Sequence, residues 1–331
     1  MLSFIINKLF VYSLVAFILL YFLSTVWNLT LLGEFISGAG LLMLLSIFFV
    51  SSKRSMILPV CLITVSIVIL GVTSSSPVVL WIGLREMSSI IPLVILFSLV
   101  SWIIGDRPYV KALLICGKQY ITTPTRFYTL VAALSHFVSS FMTVGGIPFV
   151  YHMFRNAKKE SAVKEAWDFT LSSAIMRGFT LTVLWTAVHP AFAYVIAGTN
   201  APLLPTMVKG FGLACVGFIL CVIMYRLQLN RKQITFEVIP DLSARSDESL
   251  DGLVGKFLFW VALLMGGILA MTQWLNINIL LSAPVIIVVI TTLYFVSNRN
   301  VAQYKRLWIR LVTEDLGKKK KEMLLIFLQA F

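Results

Sequence analysis

Long apolar runs separated by short polar and basic joints recur along almost the whole chain. A helix needs roughly 20 apolar residues to cross the hydrocarbon core. The pattern predicts spans near 9–27, 30–50, 57–72, 88–104, 166–188, 206–225, 256–274 and 280–296. A shorter piece at 78–84, with Trp81 as its anchor, reads as interfacial. The expected fold is all-α: a polytopic membrane protein with about eight transmembrane helices. The first run follows Lys8 as a signal peptide would, but no small-x-small cleavage pattern follows it, so it reads as a retained helix.

One apolar stretch does not fit a simple span. Residues 124–155 carry Arg126 at one end and Arg155 at the other, with Ser139, Ser140, Thr143, Gly145, Gly146 and Pro148 in the middle. An ordinary span is basic on one side only. The stretch therefore reads as a re-entrant hairpin of two arms, each about a dozen residues, entering from the cytoplasmic side and turning near Thr143–Gly146. Such arms are too short to cross. The alternative is two complete short helices. A second irregularity is the helix over 166–188, which breaks at His189-Pro190 and resumes over 191–197. Proline has no N–H and opens the helix there.

Charge sets the topology. Of the 27 Lys and Arg, all but Arg85, Arg177 and Lys209 fall at cytoplasmic positions if the amino terminus is inside and 125–155 is re-entrant. Treating that stretch as a full span would turn the clusters at 155–164, 226–232 and 299–321 outward. The expected location is the inner membrane with a cytoplasmic amino terminus. The net charge of +13 would point to nucleic acid in a soluble protein; here the charge bias accounts for it, and no nucleic-acid partner is expected. The chain divides into scaffold helices (1–104), the hairpin and broken-helix region (105–225), a polar cytoplasmic loop (226–255) and a final part (256–331). That last part ends in the run Met323–Phe331, which looks like the opening of a second repeat; an interfacial terminal helix is the other reading.

The candidate chemistry is sparse. Ser139, Ser140, Thr143, Gly145 and Gly146 offer hydroxyls and freed backbone groups at helix ends, where amino ends favour anions and carboxyl ends favour cations. Equally, small residues let helices pack closely. Arg177 lies deep in the 166–188 helix; it is either a countercharge for an anion or half of an ion pair with Glu34 or Glu86. Thr186 sits beside the break, and Glu34, His136 and His189 are candidates for ion coupling, with structural hydrogen bonding as the other role. No metal-spaced His/Cys cluster, nucleophile elbow, P-loop or acid pair is found, so no enzyme is expected. Cys61, Cys116, Cys215 and Cys221 lie without metal or disulfide spacing.

The order of scaffold helices, hairpin with a Ser/Thr/Gly/Pro tip (Ser135–Pro148), discontinuous helix (Arg177–Gly198) and further helix resembles one repeat of the ion transporter superfamily. That group includes arsenite, citrate, dicarboxylate and sodium–proton antiporter permeases. The resemblance is of architecture and covers about Ser88 to Tyr225; the Asn-Asp or Ser-Asn-Thr tip of several members is not present. It implies a secondary carrier, elevator-type and often a homodimer, with Na⁺ or H⁺ as coupling ion and no other cofactor. Together with Arg177 it leads to the expectation of a small anionic solute moved across the lipid bilayer. The alternative is a membrane protein without transport activity that binds a partner through the 226–255 loop.

Overall fold

The computed structural model describes residues 2–50, 53–73, 76, 78–109, 112, 123–154, 164–232, 252–320 and 323. Among them there are helices and turns and no strand. Six helical runs are long and apolar enough to cross a membrane: Ile5–Val26, Leu32–Phe49, Val78–Asp106, Leu203–Arg231, Leu253–Gln273 and Ile279–Ser297. The chain is thus a multi-pass, all-helical membrane protein by length and composition. The chain splits into two compact units, Met1–Ile95 with Phe295–Phe331, and Leu96–Tyr294.

In the first unit, α1 (Leu2–Val26) packs on α2 (Leu32–Val50) through Phe10, Leu14 and Phe17 of α1 and Ile36, Met43 and Ile47 of α2, all buried. Asn28, in the left-handed region at φ 52, makes the turn between them. The helix α3 (Lys53–Val72) presents an apolar face that is largely exposed and contains the expected span at 57–72. Among the described residues its apolar stretch runs over Val60–Val72, below the length of the six. Then α4 (Val78–Glu86) leans on α2: Trp81 Nε1 donates to Glu34 Oε2 at 2.6 Å, and Ser37 Oγ to the Trp81 carbonyl at 2.9 Å.

The piece at 78–84 is not separate from the span that follows. A 3₁₀ turn over Met87–Ser89 links α4 to α5 (Ile90–Leu96) and α6 (Ser98–Asp106), a single run of 29 residues. The local tightening lies one turn before Pro92, whose missing N–H leaves the Ser88 carbonyl without its helical donor.

The second unit is built around α7 (Pro124–Met142), α8 (Gly146–Phe154), α9 (Lys164–Thr182), α10 (Pro190–Thr199) and α11 (Leu203–Lys232). Thr123 caps α7 by accepting from the Arg126 N–H, with Pro124 at the first helical position. Contacts between α7 and α9 keep a near-constant offset: Phe127 stacks on Trp167 (4.9 Å), Ser135 Oγ donates to the Ile175 carbonyl (2.8 Å), and His136 meets the Gly178 carbonyl (3.1 Å). Both members of each pair advance together, so α7 and α9 run parallel. Between them α8 runs back, because Gly146 touches Ser139 near one end and Phe154 meets Phe127 (5.6 Å) near the other.

The partner of α9 on its other side is α11, and that pair is antiparallel. Tyr225, Cys221, Gly217 and Gly210 of α11 meet Thr170, Arg177, Leu181 and Leu184 in reverse order. Gly210, buried Ala214 and Gly217 form the small-residue stripe that permits this approach. The helices α12 (Leu253–Gln273) and α13 (Ile279–Ser297) complete the bundle, and Phe257 packs on Phe137 and Phe141.

Three boundaries differ from expectation. The arms of the 124–155 stretch are unequal, 19 residues in α7 and nine in α8. The helix expected over 166–188 ends at Thr182, and α11 continues past Tyr225 to Lys232, absorbing the start of the 226–255 loop. The rest of that loop to 251, the segment 155–163 and the run from 324 lie outside the described residues.

The close crossings generate a prediction. A Cβ on Gly178 would strike the Ala132 carbonyl and come within 3.0 Å of the His136 N; one on Gly210 would strike the Leu184 carbonyl. Gly178→Ala and Gly210→Ala should each destabilise by about 1–3 kcal/mol through backbone displacement. Gly212→Ala, with open space around it, should be neutral or stabilise by up to about 1 kcal/mol. Thermal unfolding in detergent followed by size exclusion reads the difference.

Candidate functional site

Two helix interruptions lie side by side in the second unit. The first is the end of α7. Thr143 takes φ 48 and ψ −131 while its N–H donates to the Ser139 carbonyl, and a 3₁₀ turn over Thr143–Gly145 leads into α8. A threonine at positive φ is unusual and holds only where its surroundings enforce it. Here Gly146 presses on Ser139, with an added Cβ only 3.0 Å from the Ser139 Cα. The turn itself packs against α9.

The second interruption covers 183–189. Thr182 Oγ1 donates to the Phe179 carbonyl (2.7 Å), and Thr186 Oγ1 donates to the Thr182 carbonyl (2.8 Å). The backbone tightens here, with the Val183, Leu184 and Trp185 N–H groups donating three residues back, to the Thr180, Leu181 and Thr182 carbonyls. Pro190 cannot donate to the Thr186 carbonyl; the His189 N–H does so instead at 2.9 Å. His189 is extended at φ −79, ψ 122, as a residue before proline prefers, and α10 starts at once. The helix therefore ends six residues before His189-Pro190.

A side-chain latch joins the two. Trp185 Nε1 donates to His136 Nε2 at 3.1 Å, and the rings lie 6.0 Å apart at 27°. An indole N–H only donates. So Nε2 accepts, the proton sits on Nδ1, and Nδ1 donates to the Gly178 carbonyl at 3.1 Å. His136 is thereby held neutral in one tautomer between α7, α9 and the interruption. Phe211 of α11 closes on the other edge of Trp185, 5.0 Å between centroids.

Some polar atoms at this level stay unpartnered. Ser139 Oγ and both ring nitrogens of His189 are buried without a hydrogen-bond partner among the described residues. Ser140 Oγ donates to the His136 carbonyl and so serves its own helix. Gly145 is exposed, and nothing crowds it within ordinary contact.

Arg177 lies elsewhere. Its Nη1 donates to Tyr128 Oη (3.2 Å) and to the Cys221 carbonyl (3.4 Å). Tyr128 stacks on Tyr225 at 4.0 Å and 6°, and Tyr225 Oη shares a hydrogen bond with Thr170 Oγ1 at 2.8 Å. Tyr128 precedes Ser139 by eleven positions on α7, which is about 16 Å along the helix. Thus Gly146 meets Ser139, His136 meets Trp185 of the second interruption, His189 lies beside Phe179, and the Arg177 guanidinium points away to Tyr128 and α11. Glu34 belongs to the first unit, where it accepts from Trp81.

Sequence reasoning missed Trp185, Tyr128, Tyr225 and Gly178. A polar-capable aromatic at a helix break and a glycine next to an arginine in a mostly apolar helix were the available signals. Among the described residues no group of three His, Cys, Asp or Glu side chains converges as a metal site would.

The fold defines a multi-pass, all-helical membrane protein. Against protein-family models, curated proteins and solved structures, the chain has no match.

The latch is open to a double-mutant cycle. Trp185→Phe keeps the ring and removes the donor; His136→Leu removes the acceptor. The coupling between them in unfolding free energy should be about 1 kcal/mol. A coupling near zero would show that the bond contributes nothing.

Proposed function

We propose that the chain is a secondary carrier that moves a small anionic solute coupled to Na⁺ or H⁺. The observation that carries this reading is that two helix interruptions, joined by the Trp185–His136 hydrogen bond, each hold a buried polar side chain without a partner among the described residues, Ser139 in one and His189 in the other. Interrupted backbone at membrane depth is tolerated where it lines a cavity or is buried in protein, and in carriers that is where solute binds.

The helix directions support it. Because α7 and α9 run parallel, their carboxyl ends lie at one level, and α8 and α10 begin there with their amino ends. Carboxyl ends favour a cation and amino ends an anion, each by about 0.3–1 kcal/mol or more when partly buried. A site offering both suits a solute anion with a coupling cation. In this reading α7 and α8 form a re-entrant hairpin and α9–α10 a discontinuous helix, in an inner membrane with the amino terminus cytoplasmic. Arg177 has no carboxylate within ion-pair distance among the described residues. It lies on the side of the tip from which the hairpin enters, where an anion would pass it.

Two measurements test the reading. In proteoliposomes, a panel of small carboxylates and oxyanions under a Na⁺ or pH gradient should show uptake. Thr143→Trp should abolish that uptake with the folded yield kept, and Arg177→Gln should lower it at least tenfold. Uptake of no solute, or uptake indifferent to Thr143→Trp, would sink the carrier. Separately, Arg126→Cys and His152→Cys should react with an impermeant maleimide from the same membrane side as Lys305→Cys. Labelling of Arg126→Cys and His152→Cys from opposite sides would overturn the hairpin.

A further inference from the structure

Directly after α13 the chain forms a surface that no carrier role uses. Arg299, at φ 55, turns the backbone, and α14 (Val301–Arg310) begins four residues after Ser297. Four residues of chain reach about 14 Å at most. The start of α14 is therefore pinned close to where a membrane-crossing helix ends. A π-helical turn over Leu311–Asp315 and α15 (Leu316–Lys318) follow, with Gly317 against Asn7 of α1 and Lys320 over the Phe10 ring at 5.7 Å.

Two faces of α14 have different fates. Gln303, Tyr304, Leu307 and Trp308 are half-buried, Leu311 is buried just beyond them, and Tyr304 stacks on Phe295 at 5.3 Å. The opposite face is open. Val301 (53% exposed), Lys305, Ile309 (53%) and Val312 (38%) recur at helical spacing along it, and Arg306 lies beside Lys305. Arg310 is held by Glu314 and Asp315, both at 3.8 Å, and Lys318 by Asp315 at 3.5 Å. Lys305 and Arg306 have no acidic partner among the described residues.

An open face that alternates aliphatic side chains with unpaired cations is poorly matched to water. It matches the boundary layer of a bilayer, where aliphatics enter the acyl edge and cations meet phosphate. We propose that the outer face of α14 is a binding surface for anionic phospholipid, with Lys305 and Arg306 on the headgroup phosphates and Val301, Ile309 and Val312 in the acyl boundary. A soluble acidic partner would satisfy the cations and leave the aliphatics in water, so lipid fits both halves of the surface.

The test uses the purified full chain in detergent, titrated with phosphatidylglycerol or phosphatidylcholine, with bound lipid counted by native mass spectrometry. Phosphatidylglycerol should be retained in preference to phosphatidylcholine. The double variant Lys305→Gln/Arg306→Gln should weaken phosphatidylglycerol binding about 30-fold. The charge-preserving Lys305→Arg/Arg306→Lys should restore it, which also controls for folding. Ile309→Asn keeps the charges and should weaken binding as well, whereas a simple phosphate patch would not respond. Equal retention of both lipids, or phosphatidylglycerol binding unchanged by the double Gln variant, overturns the proposal.

Discussion

The crossing of α7 and α9 at Gly178 is the contact on which the second unit depends. With no side chain there, the Ala132 carbonyl and His136 backbone of α7 come directly against α9. That closeness puts the Ile175 and Gly178 carbonyls within reach of Ser135 and His136. Side chains that would need water in an apolar bundle thus bond to a neighbouring backbone. The same device recurs at Gly146 against Ser139 and at Gly210 against Leu184. In each case a glycine lets another segment's backbone lie flush against it, and at Gly146 and Gly210 one of the two partners adjoins or lies in a helix interruption. The interruptions are consequently packed features of the bundle, as interrupted backbone away from water must be.

What was legible in the sequence follows from the physics each signal carries. Hydropathy reports transfer into lipid, so uniformly apolar helices such as α1, α2, α12 and α13 were found close to their bounds. The tip at Thr143–Gly146 was legible because small and β-branched residues with a nearby proline make poor helix. The break in α9 was misplaced by six residues because proline marks where a helix must stop and says nothing of where it first weakens. From Val183 to Trp185 the backbone N–H groups turn to carbonyls three residues back, a local tightening that hydropathy does not register. The segment 299–322 was read as simply basic. Its helical alternation of half-buried aromatics with exposed cations emerges when Tyr304 and Trp308, two turns and one turn before Leu311, share one face and Tyr304 stacks on Phe295.

Arg177 shows a different limit. Its position in sequence, nine residues before Thr186, suggested membership of one site with the break. Yet neighbours on a helix diverge by about 100°. Gly178 turns toward Ala132 of α7, while the Arg177 guanidinium reaches Tyr128 and the Cys221 carbonyl of α11. Arg177 therefore ties three helices together at the level of the Tyr128–Tyr225 stack. A guanidinium has five donors, and these two acceptors use one nitrogen. The phenol and the carbonyl lower its desolvation cost without neutralising it. The remaining charge is what distinguishes this arginine from a purely structural brace.

That residual charge and the helix ends act over different ranges. Dipole effects fall off within the last turn of a helix, so the ends of α7 and α9 act only on a group seated at the tip. A full charge decays more slowly where the surroundings are apolar. The Arg177 guanidinium meets Tyr128, which lies about 16 Å before Ser139 along α7. The guanidinium and the helix ends therefore act at different levels of the bundle and through different physics: a full charge beside the Tyr128–Tyr225 stack, and short-range dipoles at Thr143–Gly146.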